Sequence, residues 1–432
     1  MNKTFILGAT STILLSVATT VNATSTEHTR LAEYYNQTKP VEGRNYKIQY
    51  SNFNMEKSTG QVDWVLNIHL DPCDSDSKIE LKGNDQIQKT LTGYRIKSSA
   101  TFVDPKISKL FKNPIQANTV INLFGNSKTN IIVPELKMVD EDGLLTASPI
   151  TIDLRTHKKN TEREITKFSA ILPKMSFVDE DGKAVIENVS YTTNQDPTSK
   201  VVKNGSDQFK IQNITIQTDK VPETTLSNLN IDSKIRVLGD KVNSLNKFTI
   251  QQLNIAQEKN YQNIQLNFNF KDLDTTAVNN LMMVYQDKKQ CKENSTTEEI
   301  LVQSVQELFN KGAKFESKQN KITTPSGTVH FNADVKIKPN TASFTSENAR
   351  EQYSSILRQV LDVKLDADTN KQVIYDAVGL IKKDKMNTAE VQELVNTSLE
   401  KLEQQGTVEI KNDRVKWALD FNEGQIKRPL KK

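Results

Sequence analysis

The sequence predicts a β-dominated α+β fold, a long curved antiparallel sheet with about four helices in the C-terminal half. Three observations predict it. Apolar residues alternate with polar ones in run after run, the period of half-buried strands. The polar positions hold Asn, Gln, Thr, Lys and Asp, the pattern of an antiparallel sheet wet on one face. Patterns of helical period, with start and stop signals, gather late in the chain.

In order, Tyr46, Ile48 and Tyr50 alternate first, and Val62, Trp64, Leu66, Ile68 and Leu70 form the longest early run. Ile152 and Leu154, then Ile211, Ile214 and Ile216, and then Ile231, Ile235 and Val237 continue it. Phe248, Ile250, Leu253 and Ile255 slip phase once, which reads as a bulge. Ile264, Leu266, Phe268 and Phe270 alternate with Gln265, Asn267 and Asn269. Val329–Ile337 and Val415–Phe421 supply the last strands. A first helix is expected over Asp274–Lys288, with Val278, Leu281, Met282 and Tyr285 on one face. A second opens at Thr296 and buries Ile300, Val305, Leu308 and Phe309. A third runs from Asp368, as its cap, to Lys382 through Val373, Ile374, Ala377 and Leu380. A fourth, capped by Asn387 or Thr388, runs through Val391, Leu394, Val395, Leu399 and Leu402 to Gly406.

The chain has 432 residues, enough for two domains or one elongated one. Thr192–Gln208 is the least structured stretch. The expected organisation is a signal over 1–23, a β-rich half over 24–195 and an α+β half over 209–432. These halves could also form one continuous domain. Lys and Arg number 57 against 53 Asp and Glu, a net charge of +4. Such a balance argues against a nucleic-acid binder working by phosphate neutralisation.

Met1-Asn2-Lys3 is a short basic start, and Phe5–Val21 carries no charge. Val21-Asn22-Ala23 places small residues before Thr24, so export with cleavage between Ala23 and Thr24 is expected. A retained single-span anchor is the alternative. In an oxidising compartment Cys73 and Cys291 have only each other as partner, so they are a candidate disulfide.

Few chemistries survive inspection. The segment Val139-Asp140-Glu141-Asp142-Gly143 recurs as Val178-Asp179-Glu180-Asp181-Gly182. Neither fits a calcium loop, and Asp-Gly between apolar runs signals a hairpin. Asp366, Asp368 and Asn370 lack the Gly and Glu such a loop needs. His28, His69, His157 and His330 fall in no ligand pattern, and there is no nucleophile elbow or phosphate loop. No catalytic residue, cofactor or metal is expected.

The order of elements resembles the YdgA-like bacterial envelope proteins. The resemblance begins at Tyr46-Lys47-Ile48-Gln49-Tyr50 and the strand that follows it. It is strongest over Leu399–Gln405, Gly406, Thr407–Lys411, Asn412-Asp413, Val415–Phe421 and Asn422-Glu423-Gly424-Gln425-Ile426. Lys427-Arg428-Pro429 departs from the family's usual Asn-Gly closing turn. The resemblance implies a periplasmic or inner-membrane setting in a Gram-negative bacterium and brings no catalytic residues.

About four helices cannot cover every predicted strand, so some apolar face needs sheet curvature, a partner or a ligand to cover it. Val62, Trp64, Leu66, Ile68 and Leu70 with Ile264, Leu266, Phe268 and Phe270 are the candidate ligand face, expected on the concave side of one sheet. The expectation is a non-enzymatic envelope protein that binds a lipid or an envelope partner there. A secreted structural or adhesive protein is the alternative, and an envelope hydrolase comes last.

Overall fold

The structure, a computed structural model, describes residues 35, 41–42, 46–69, 78–141, 143–159, 162–197, 202–219, 223–255, 259–288, 295–339, 360–382, 386–422, 424–427 and 430. Strands dominate them, and the helices lie mostly in the C-terminal half. Two compact units are present, Met1–Lys210 with Gln286–Glu293, and Ile211–Tyr285 with Asn294–Lys432.

The first unit is an antiparallel ladder. Its strands are β1 (Val41–Glu42), β2 (Tyr46–Glu56), β3 (Thr59–His69), β4 (Lys78–Thr90), β5 (Gly93–Phe102), β6 (Ile115–Asn122), β7 (Ser127–Val133), β8 (Leu136–Asp140), β9 (Gly143–Ala147), β10 (Ile150–Lys159), β11 (Glu162–Asp179) and β12 (Gly182–Gln195). β1 to β7 pair in sequence, β10 joins β7, and the first part of β11 pairs with β10. The last part of β11 pairs with β9 of the β8–β9 hairpin, and β12 returns along β11. A four-residue helix, α1 (Pro105–Ser108), links β5 to β6, with Asp104 accepting from the Lys106 N–H at 2.7 Å. Both Asp-Glu-Asp-Gly segments are the hairpin turns their sequence predicts.

One face of this ladder is sealed. Ile48, Leu66, Leu81, Ile96, Ile121, Ile131 and Ile152 stand on it and are fully buried. The expected early ligand strand is therefore core. Val62, Leu66 and Ile68 have no exposure and Trp64 has 5%. They meet Tyr46, Ile48 and Tyr50 on one side and Ile79, Leu81, Gly83 and Asp85 on the other.

β13 (Gly205–Thr218) precedes the ladder of the second unit. This contains β14 (Thr224–Leu238), β15 (Lys241–Ile255), β16 (Lys259–Asp274), β17 (Ala313–Thr324), β18 (Gly327–Ile337), β19 (Leu361–Asn370), β20 (Val408–Lys411), β21 (Arg414–Asn422) and β22 (Gln425–Lys427). β14 to β19 pair in sequence, β21 joins β19, and β20 and β22 pair along β21. The helices are α2 (Thr275–Lys288), α3 (Ser295–Lys311), α4 (Lys371–Lys382) and α5 (Thr388–Gln404).

The phase slip in β15 is not a bulge. Ile250 opposes Leu229 and Ile264, while Gln252 opposes Ser227 and Gln262, so no residue is inserted. Gln251 instead lies opposite Asn228 and Asn263, whose φ values are +54° and +50°. A left-handed residue reverses the pleat locally, and Asn tolerates that conformation better than most residues. The apolar pattern therefore changes phase while the pairing continues.

Asp368 is not a helix cap. It sits in β19, where Arg414 of β21 reaches it with Nε at 3.1 Å and Nη2 at 2.5 Å. The alternation of Val363, Leu365 and Ala367 extends the strand to Asn370, so α4 starts later than predicted. Ala377 is exposed, and α4 buries Val373 instead. In α2 the buried pair is Ala277 and Val284, while Met282 is exposed. Ile300, Val305 and Leu308 of α3 are half-buried. In α5 Val391, Val395 and Leu399 are buried, but Leu394 faces outward. The side chains of Tyr285, Phe309 and Leu380 lie outside what is described.

Asn387 caps α5. Its side chain accepts from the N–H groups of Ala389 and Glu390, and Glu390 accepts from the Asn387 N–H at 2.8 Å. Asn387→Ala leaves these donors at the helix start unpaired. It should cost about 1 kcal/mol, read from the midpoint of urea unfolding.

Candidate functional site

Cross-strand register in the second unit builds an apolar face in rows. Ile231, Phe248 and Leu266 form one row, and Leu229, Ile250 and Ile264 form the next. Phe270, Phe315, Val335, Val363 and Phe421 make a single row across five strands. Ala333, Leu365 and Leu419 follow, then Phe331, Ala367, Trp417 and Val408. From β14 to β21 the face spans six strand spacings, about 29 Å.

Among the described residues, its β20–β21 end is closed within the unit by helices that form a buried cluster with it. Val391, Val395 and Leu399 of α5, with Ile374, Tyr375 and Val378 of α4, pack on Val408, Ile410, Val415 and Trp417. The rows toward β14 are half-open. Ile264 and Leu266 are half-buried, while Phe268 and Phe270 are 36% and 41% exposed. Phe270 and Phe315 touch with ring centroids 5.3 Å apart. Ser233, Ser244 and Asn246 interrupt the face in register with these rows, and bond among themselves at 2.7 and 3.0 Å. Their polar groups are thus partly matched in place.

The opposite face is charged. Glu316, Asp334, Lys364 and Asp420 stand in one row. Lys271 and Lys314 both pair with Glu316 and hold its carboxyl down to about 2. Lys314 and Lys318 also reach Asp334 at 3.3 and 3.5 Å. Asn332 bonds Asp366 at 2.8 Å. At the start of α2, burial pushes the Asp274 carboxyl up, but Lys311 Nζ at 2.8 Å and the Ala277 N–H pull it back, and the net shift is downward. These carboxylates are committed to ion pairs and helix capping. Among the described residues no three His, Cys, Asp or Glu gather as a metal site would require.

The predicted site residues divide accordingly. Ile264, Leu266, Phe268 and Phe270 lie together on the half-open face. Val62, Trp64, Leu66 and Ile68 lie in the other unit, sealed in its core. Leu70, Ala23, Thr24, Cys73 and Cys291 lie outside the described residues. Sequence reasoning missed Phe315 in β17 and Val363 in β19, which complete the five-strand row. Neither strand is among those expected from the sequence, although Val363-Lys364-Leu365-Asp366-Ala367 carries the same alternation.

Fold and site together define a class: a β-dominated protein of antiparallel ladders, one with an enclosed apolar face and one with a half-open apolar face backed by ion pairs. The family described as "Bacterial protein of unknown function (DUF945)" matches residues 83–427, and the chain belongs to it. Comparison with curated proteins and with solved structures gives no match.

Proposed function

We propose that this chain is an exported, non-enzymatic envelope protein that holds the acyl chains of a lipid on the half-open apolar face of its second unit. The observation that carries the reading is that face itself, which extends across β14 to β21 with interruptions at Ser233, Ser244, Asn246 and Ser317 and is open at Phe268 and Phe270. Soluble proteins rarely leave contiguous apolar surface of more than a few hundred Å² in water. Covering it gains about 25 cal/mol per Å². Rows of Phe, Leu, Ile and Val with few polar interruptions suit a ligand that is itself an uninterrupted hydrocarbon. The resemblance to YdgA-like proteins and the signal-like N-terminus support a periplasmic setting, which brings the protein within reach of membrane lipids.

The test is native mass spectrometry and lipid extraction of the full chain purified from its host, beside Phe268→Asp and Phe270→Asp. Co-purified acyl lipid in the parent, lost from variants that keep their strand signal, is the expected result. A bound polypeptide in place of lipid would turn the reading to an envelope partner. Lipid-free parent protein would leave the face without a ligand. For export, N-terminal sequencing of host material should begin at Thr24; an intact Met1 in the membrane fraction means a retained anchor.

A further inference from the structure

The end of the first unit that carries the β4–β5 and β6–β7 turns presents three apolar side chains to water. Leu91 is 99% exposed, Phe124 80% and Leu123 52%. Gly93 opposes Asn122, which sets both turns at the same end of the ladder. Their centres are two strand spacings apart, about 10 Å. The β6–β7 turn is firmly built. Asn122 Oδ1 accepts from the N–H groups of Phe124 and Asn126, each at 3.0 Å. The Gly125 N–H reaches the Asn122 carbonyl at 2.9 Å, and the Asn122 N–H reaches that of Asn126 at 3.0 Å. Gly125 has a φ of +81°, and a Cβ there would lie 2.5 Å from Lys158 Cδ. Leu123 and Phe124 are thus held outward by a turn of defined shape.

Cations surround them. Lys57 sits in the β2–β3 turn, which the Lys89 N–H ties to the same end through the Ser58 carbonyl at 2.7 Å. One row inward on the outer face, register sets Arg95, Val120, Lys128, Arg155 and Lys167 side by side across β5, β6, β7, β10 and β11. Lys128, Arg155 and Lys167 are direct cross-strand neighbours of like charge, an arrangement that destabilises a sheet. No ion pair joins any of these cations to a described residue. Of the acids near this row whose side chains are described, Glu164 is already paired with Lys203 at 3.3 Å, Asp153 lies one row further in and accepts from Asn130 at 3.3 Å, and Glu56 stands three strands from Arg95. The near-neutral total of +4 therefore hides a local excess of positive charge.

We infer that this end of the first unit docks on an anionic bilayer surface. Leu91, Leu123 and Phe124 enter the boundary between headgroups and acyl chains, and the cation row meets the headgroup phosphates. A nucleic acid would use the cations but would leave the aliphatic Leu91 and Leu123 in water; a bilayer interface uses both. The bound lipid phosphates also remove the cost of the like-charged row. The inference concerns a different unit from the acyl-chain site and stands without it.

Vesicle flotation of the full chain tests it, with phosphatidylcholine alone and with phosphatidylglycerol added. Binding should require phosphatidylglycerol and weaken as salt is raised. Near such a surface each cation contributes about fivefold, so Lys128→Gln with Arg155→Gln should weaken binding roughly 30-fold. Leu91→Ser with Phe124→Ser should weaken it by about tenfold or more. Phe268→Asp, which removes the acyl-chain face, should leave vesicle binding unchanged. Equal binding to both compositions would assign adhesion to another apolar segment and overturn the inference. So would variants that bind like the parent, or binding to DNA without binding to vesicles. Circular dichroism checks that the variants keep their strands; where one does not, the lipid and salt dependence of the parent decides.

Discussion

Trp64→Ala should destabilise the first unit by about 3–5 kcal/mol, the usual cost of emptying a large aromatic site in a core. The indole is 5% exposed and lies across Gly83, its register partner on β4. A Cβ on Gly83 would stand 2.3 Å from Trp64 Cζ2, so the ring occupies the space that any other residue at position 83 would need. Gly83→Ala should therefore cost about 1–3 kcal/mol by overpacking. In the double variant the new methyl enters the space the indole has left, so the two costs should not add. Urea unfolding of the four proteins measures this, and strict additivity would show that the ring does not enforce glycine at position 83. Phe268→Ala, on the half-open face, should cost well under half as much as Trp64→Ala. This contrast in stability separates a core strand from a face that awaits a ligand.

The second large effect concerns Asp85, a carboxyl buried on the sealed face. Trp64 Nε1 donates to Oδ1 at 2.8 Å and the Tyr35 hydroxyl donates to Oδ2 at 3.3 Å. Tyr35 in turn stacks on Phe53 and meets Tyr50 edge-on. Ser98 faces Asp85 from β5 and Val62 from β3, and no cation reaches it from β3, β4 or β5 on this face. Burial pushes the carboxyl above the usual carboxylate range, against the hydrogen bonds from Ser98, Trp64 and Tyr35. The folded state therefore takes up this proton at a higher pH than the unfolded chain, whose Asp titrates near ~3.9. Below that value Asp85 is protonated in both states. As pH rises through the folded-state value, its contribution to stability is lost, by up to about 1.4 kcal/mol per pH unit, and then levels off. Asp85→Asn keeps an acceptor for Trp64 and carries no charge, so its stability relative to the parent should improve over that acid range and then stay constant. A difference that does not vary with pH would mean that Asp85 is not buried as a titrating group. Asp85→Ala should instead cost about 1–3 kcal/mol in acid, because the indole N–H loses its acceptor in a dry core, and that cost should shrink as pH rises, because this variant too lacks the titrating carboxyl. Glu316 and Asp274 run the other way, since their lowered values lend stability that is lost on acidification, and they are common to parent and variant.

Strands with one strictly apolar face were legible from the sequence: β3, β18, β21 and the Ile264–Phe270 stretch of β16 each alternate without a break. So were the hairpin turns at Gly143 and Gly182 and an α5 cap at Asn387 or Thr388, of which the structure uses Asn387, because these depend on residues within a few positions of one another. β4 to β7 were not legible. Their inner faces carry Gly83, Asp85, Ser98, Thr119, Thr129 and Ser127 among the aliphatics, and a polar residue inside breaks the pattern by which strands are recognised. Thr119 with Thr129, at 2.9 Å, and Ser127 with Thr156, at 2.7 Å, satisfy each other across strands up to 29 residues apart. No local window holds both Ser127 and Thr156.

The candidate site divides in the same way. The sequence by itself determined which side chains of each strand share a face, because the period of two is a property of the extended backbone. It determined equally well that Val62–Ile68 and Ile264–Phe270 are apolar. Only the tertiary structure decided that the first run is enclosed and the second is half-open. Burial depends on what the chain sets against a face, and the two runs carry the same pattern into different surroundings. The register of five strands also had to be known before Phe270, Phe315, Val335, Val363 and Phe421 became one row. Likewise, charges that cancel in the sum over the chain separated into an ion-paired face on one ladder and, on the other, a cationic row with no ion pair to a described residue, once pairing fixed their neighbours.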